Sequence, residues 1–123
     1  MQADADFLFV AATDAKLPGK AENQDAVFAT VGQTGGGIPY GLFVVADGVG
    51  GLKDGNRASQ TVTRTVATHF EPIWPVITAV SDQTIKRLHQ QLKKAILSAN
   101  SAIQKLAGAS DDRMASTVTC AIL

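Results

Sequence analysis

The sequence predicts an α+β fold, and three patterns carry that expectation. Short runs of β-forming and apolar residues fill the first 46 residues, two segments with helical periodicity occupy the middle, and one more extended run ends at Leu123. At 123 residues the chain has the length of about one small domain. With 46% hydrophobic and 18% charged residues, it has the composition of a globular protein rather than a disordered one.

The elements follow in order. Phe7 to Thr13 is rich in β-formers and stops before the turn-like Lys16-Leu17-Pro18-Gly19. Ala26 to Val31 is the second extended run, and Gly32 to Gly37, with three consecutive glycines, is the turn that follows it. Leu42 to Ala46 is a continuous apolar run of the kind buried on both faces. The turn between these two runs predicts a hairpin. Asn56 to Phe70 places Ala58, Val62, Val66 and Phe70 on one helical stripe. Pro72 and Pro75 then break the helix on either side of Trp74, which is expected to pack against the edge of the sheet. The second helix spans Ser81 to Ala107, with Ile85, Leu88, Leu92, Ile96, Ala99, Ile103 and Leu106 in register. Ser81 or Asp82 is its N-cap and Gly108 its stop. Lys86, Arg87, Lys93 and Lys94 form a solvated face opposite the apolar stripe. The last strand, Ser116 to Leu123, needs partners on both sides, so the fold is expected to continue past this sequence.

Charge excludes some partners. Eleven basic residues balance 11 acidic ones, so there is no electrostatic case for nucleic acid or an anionic membrane. Cys120 is the one cysteine, which rules out an internal disulfide and a Cys-based zinc site and leaves a buried structural thiol. No basic stretch leads into a long apolar one at the N-terminus, and no run is long enough to span a bilayer. The expected location is cytoplasmic. His69 and His89 lack a second ligand at metal spacing, so packing or solvated roles are expected for both.

The chemistry concentrates where the apolar run Leu42 to Ala46 delivers Asp47, followed by Gly48, Gly50 and Gly51. A strand end holds a carboxylate rigidly, and a glycine beside it lets a backbone carbonyl approach a cation. Carboxylate, carbonyl and water make hard oxygen ligation, suited to magnesium or manganese rather than zinc. Asp25, at the start of the preceding strand, brings a second carboxylate to the same site if the two strands pair. An Asp-Gly at a strand end also makes an ordinary turn, and Asp25 alone also serves as a cap. The glycines lack the Lys-Ser/Thr of a phosphate-binding P-loop.

Asn23-Gln24-Asp25, Val45-Ala46-Asp47-Gly48-Val49-Gly50-Gly51 with Gly55, Ala58 and Ser59, and the tail Met114-Ala115-Ser116-Thr117-Val118 together resemble the metal-dependent protein phosphatase family, type 2C. The order and rough spacing of the blocks match over essentially the whole chain. The resemblance implies a β-sandwich flanked by antiparallel helices, incomplete in this sequence, with two Mn2+ or Mg2+ ions at one end. It implies that Asp47 bridges both ions, that the Gly48 carbonyl ligates one, and that Asp25 holds the second directly or through water. A water acidified by the ions would then attack the phosphorus of phosphoserine or phosphothreonine in line.

Two departures matter. Where the family usually carries a phosphate-binding arginine, five residues before Asp25, this sequence has Lys20, a point charge without bidentate geometry. The family's remaining metal-binding aspartates lie beyond the strand where the sequence ends; Asp111 and Asp112 precede that strand and read as loop residues. The implied partners are phosphoprotein substrates and an opposing protein kinase, with self-association through exposed sheet edges. The alternative is a non-catalytic pseudophosphatase or protein-binding module.

Overall fold

The structure, a computed structural model, describes residues 23–49, 55–108 and 114–123. Three strands, β1 (Asp25–Gln33), β2 (Pro39–Asp47) and β3 (Thr119–Ile122), form an antiparallel sheet in the order β1-β2-β3. Two helices, α1 (Gly55–Phe70) and α2 (Asp82–Ala107), pack on one face of that sheet. A short 3-10 turn, Trp74–Val76, joins the helices. The strand expected at Phe7 to Thr13 lies outside the described residues. So do the turn after it and the expected loop at Asp111 and Asp112.

Alternation along β2 explains the layers. Leu42, Val44 and Ala46 are fully buried beneath the helices, while Val45 and Asp47 face the other way and are exposed. The helical stripe of α1 is buried as its spacing predicts: Ala58, Val62, Val66 and Phe70 are all inside. Ala46, Ala58, Val62, Ala99 and Ile103 form one core cluster. Leu42, Val44, Val66, Phe70, Trp74 and Ala95 belong to the other, with Leu88 and Leu92 packed on it. Because α1 residues 58 and 62 meet α2 residues 99 and 103, while 66 and 70 share a cluster with 88, 92 and 95, the helices run antiparallel.

The buried stripe of α2 is narrower than the one expected. Ala95, Ala99 and Ile103 are buried, but Ile85, Ile96 and Leu106 are exposed at its margins. The period was right; the sheet and α1 are wide enough to cover only part of the apolar arc. Ser81 is the N-cap, its hydroxyl accepting from the Thr84 N–H at 3.2 Å, and Gly108 ends the helix with a positive φ of 54°. Lys86, Arg87, Lys93 and Lys94 are exposed, as a solvated face requires.

The glycine-rich turn does more than reverse the chain. The Gly35 N–H donates to the Trp74 carbonyl at 3.1 Å, and the Gly36 N–H to the Ile77 carbonyl at 3.0 Å. A Cβ on Gly35 would lie 1.8 Å from the Pro75 carbonyl oxygen, so backbone docks directly on backbone. This docking carries Trp74 into the core instead of leaving it at the sheet edge, where its indole stacks on Tyr40 with ring centroids 4.0 Å apart.

β3 is shorter than the run expected from Ser116. An isolated bridge joins Gly48 and Ser116, and regular pairing starts only at Thr119. Its outer edge has no strand beside it among the described residues. Cys120 pairs with Val44 and packs against the core; burial pushes its thiol pKa up. No helix among the described residues is long and apolar enough to cross a membrane.

Candidate metal centre

The hairpin register places Asp25 directly opposite Asp47, at the end of the ladder away from the turn. The Gly48 N–H donates to the Gln24 carbonyl at 2.9 Å, which makes the neighbouring pair, Gln24 and Gly48, the hydrogen-bonded one. Alternation in an antiparallel ladder then makes Asp25 and Asp47 a non-hydrogen-bonded pair, with Cα atoms roughly 4.5 Å apart and side chains on one face. That face is the one turned away from the helices. Both residues are exposed.

Local hydrogen bonds fix both backbones. The Asp25 N–H donates to Asn23 Oδ1 at 2.9 Å, an Asx turn that sets how the chain enters β1. The Asp47 N–H donates to Thr117 Oγ1 at 3.0 Å, and the Thr117 N–H donates to the Asp47 carbonyl at 2.9 Å. A side-chain hydroxyl thus takes the place of a ladder carbonyl, which accounts for the break in regular pairing before Thr119. The Val49 N–H continues the register by donating to the Ala115 carbonyl at 3.1 Å.

Gly48 is buried, and its missing side chain has a steric reason beyond the one its place beside Asp47 suggested. A Cβ there would sit 2.1 Å from the Gly55 carbonyl oxygen and 2.9 Å from that of Gln24. Glycine therefore lets the first turn of α1 rest on the strand end, with Ala58 and Ser59 fully buried just behind. The positive end of the α1 dipole consequently lies beside the strand ends that carry the two carboxylates. One residue along, Asn56 Oδ1 is buried without a hydrogen-bond partner.

Two like charges directly opposed on a sheet are destabilising unless something compensates them. The donor set is hard oxygen throughout and open to water, so it fits one side of a Mg2+ or Mn2+ site. Among the described residues no group of three or more His, Cys, Asp or Glu side chains gathers. His69 and His89 take no part: the His69 carbonyl accepts from Gln91 Nε2 at 2.7 Å, and the His89 side chain is exposed. Lys20, Gly50 and Gly51 lie outside the described residues.

Sequence reasoning grouped Asp25, Asp47 and Gly48, and the structure brings these three together. It assigned no role to Asn23 or Thr117. The Asn two residues before a strand-starting Asp was a legible Asx-turn signal. Thr117 was not legible, because its partner is 70 residues away.

An antiparallel sheet layered under two helices, with paired carboxylates at one end of its central hairpin, defines a layered α+β domain with an acidic strand-end site. Residues 15–123 match the family model of protein phosphatase 2C, and the chain belongs to that family. A solved structure, the serine/threonine phosphatase of S. agalactiae, superposes with a TM-score of 0.60 at 22% sequence identity. The match covers 91% of this chain and 42% of that one, so this chain spans less than half the length of that phosphatase. No curated protein sequence matches.

Proposed function

We propose that this chain contributes the Asp25–Asp47 side of a metal-dependent protein phosphatase site, acting on phosphoserine or phosphothreonine in proteins. The observation that carries the reading is the direct cross-strand opposition of Asp25 and Asp47 beside Gly48. Family membership supports the reaction class.

Asp25, Asp47 and the Gly48 carbonyl would hold Mg2+ or Mn2+. When bound, the ions supply Lewis acidity, which lowers the pKa of an attacking water and offsets charge on the phosphoryl oxygens. The protein's part is placement. The Thr117 hydroxyl and carbonyl-to-amide bond fix Asp47, Asn23 fixes Asp25, and Gly48 seats α1 against both strand ends. Lys20 supplies a point charge for the substrate phosphate. Phosphoprotein substrates imply an opposing kinase, and the setting proposed is cytoplasmic.

The test is phosphate release from a phosphothreonine peptide, with Mn2+ and with a chelator, in the complete protein and its Asp47→Asn variant. Chelator-sensitive release that Asp47→Asn abolishes supports the assignment, whereas undiminished release in the variant rejects it. Weak Mn2+ binding without any release would point instead to a non-catalytic pseudophosphatase.

A further inference from the structure

Among the described residues, the side of β1 that faces away from β2 has no strand beside it, and α1 stands along it as a wall. The bond from Gly48 to Gln24 makes the even-numbered residues of β1 the ones hydrogen-bonded to β2. The N–H and C=O groups of Val27, Ala29 and Val31 therefore point outward, and among the described residues no strand lies beside them. Between this edge and α1 runs a groove of about 520 Å³. Ala26 and Phe28 line it from the strand, Thr63, Arg64 and Ala67 from the helix, and Glu71 from the turn that follows it. Arg64 on α1 and Glu71 just past its end stand exposed on the rim, with half-buried Ala67 between them in sequence.

We propose that this groove binds an extended peptide as an added strand of the sheet. A row of outward backbone donors and acceptors next to a side-chain wall is the arrangement that strand addition uses: backbone gives affinity, and the wall gives specificity. The wall also fixes which peptide. Glu71 follows the last residue of α1, seven positions after Arg64, which places it about 10 Å further along the helix axis. Helix-facing side chains on a strand recur about every 7 Å, so positions i and i+4 are about 13 Å apart, within reach of both long side chains. The ligand therefore carries a basic residue opposite Glu71, a small apolar one over Ala67 and Phe28, and an acidic one opposite Arg64, at alternate positions. Antiparallel pairing is the more stable per residue. Because α1 and β1 both lead away from the Gly48 end, an antiparallel ligand reads basic-x-apolar-x-acidic from its N-terminus. The binding requires neither a metal nor phosphate hydrolysis, so it stands or falls separately from the phosphatase reading.

The experiment uses a fluorescein-labelled nonapeptide centred on Lys-Thr-Val-Thr-Glu, titrated with the protein in metal-free buffer and read by anisotropy. Exchanging the Lys and Glu weakens binding severalfold. Arg64→Glu weakens the original peptide about fivefold, and replacing the peptide's Glu by Lys restores it. N-methylation of the peptide amides that face β1 weakens binding at least about tenfold, while N-methylation of the alternate amides does not. That last comparison leaves the protein unaltered, so misfolding cannot mimic it. No saturable binding up to about 1 mM, equal binding of the exchanged peptide, or indifference to which amides are methylated would each overturn the proposal.

Discussion

Adding one methyl group at Gly48 probes the junction on which the whole site is built. The Cβ of Gly48→Ala would fall 2.1 Å from the Gly55 carbonyl oxygen and 2.5 Å from its carbon. Both are backbone atoms, and the Gln24 carbonyl oxygen lies 2.9 Å away on another side. Relief requires α1 to withdraw by roughly 1.5 Å to reach ordinary contact distance. That movement loosens the packing of Ala58 and Ser59, both at 0% exposure, against a strand whose Ala46 is also at 0%. No flexible side chain is available to yield. Overpacking typically costs 1–3 kcal/mol, and a clash between backbones belongs at the upper end, about 3 kcal/mol. For a domain of this size that corresponds to a Tm lower by about 10 °C. The assay is reversible thermal unfolding followed by circular dichroism, with urea unfolding as a second measure. Gly37→Ala is the control: φ is +79° there but nothing lies within 4 Å, so only backbone strain of about 1 kcal/mol applies. If Gly48→Ala unfolds within about 0.5 kcal/mol of the parent protein, the steric argument is refuted.

Other expectations follow from the same contacts. Thr117→Val removes the hydroxyl that accepts from the Asp47 N–H; it lowers stability by about 1 kcal/mol and weakens Mn2+ binding, whereas Thr117→Ser preserves both. Ser81→Ala deletes the N-cap of α2 and lowers stability by about 1 kcal/mol in urea unfolding. Burial raises the Cys120 thiol pKa, so the folded state favours the protonated form. Any stability from this group is complete below the unfolded thiol pKa of about 8.5 and is lost as pH rises through the higher folded value. A thiol reagent at pH 8 therefore reacts more slowly with the folded protein than with the protein in urea; equal rates would contradict the burial argument.

Much of this fold was legible because local and tertiary demands agree. The stripe Ala58, Val62, Val66 and Phe70 reads as a buried helix face and is one. The apolar run Leu42 to Ala46 reads as a strand buried on both faces; it is the central strand, but only its helix-facing side is buried, and Val45 on the other side is 51% exposed. Period fixes orientation but not width. The exposure of Ile85 and Ile96 depends on how far the sheet extends beneath α2, a quantity no local pattern contains. The steric reasons for the glycines were not legible. Gly35 is required by the approach of Pro75, 40 residues on, and Gly48 by the approach of Gly55, contacts that spacing alone does not reveal. At the site, hairpin pairing was the condition for Asp25 and Asp47 to meet, and the register meets it residue for residue. Thr117 stayed hidden because its role comes from β-pairing over long sequence separation.

Whether Asp25 and Asp47 together bind a divalent cation decides the metal assignment. The measurement is a Mn2+ titration followed by calorimetry and by thermal shift, on the protein and on its Asp25→Asn and Asp47→Asn variants. The account predicts saturable binding that stabilises the parent by about 2.7 kcal/mol at a hundredfold excess over Kd. Each variant should lose that response while keeping a cooperative thermal unfolding transition without metal. Mn2+ binding that survives either substitution would contradict the assignment of these carboxylates as a shared metal centre.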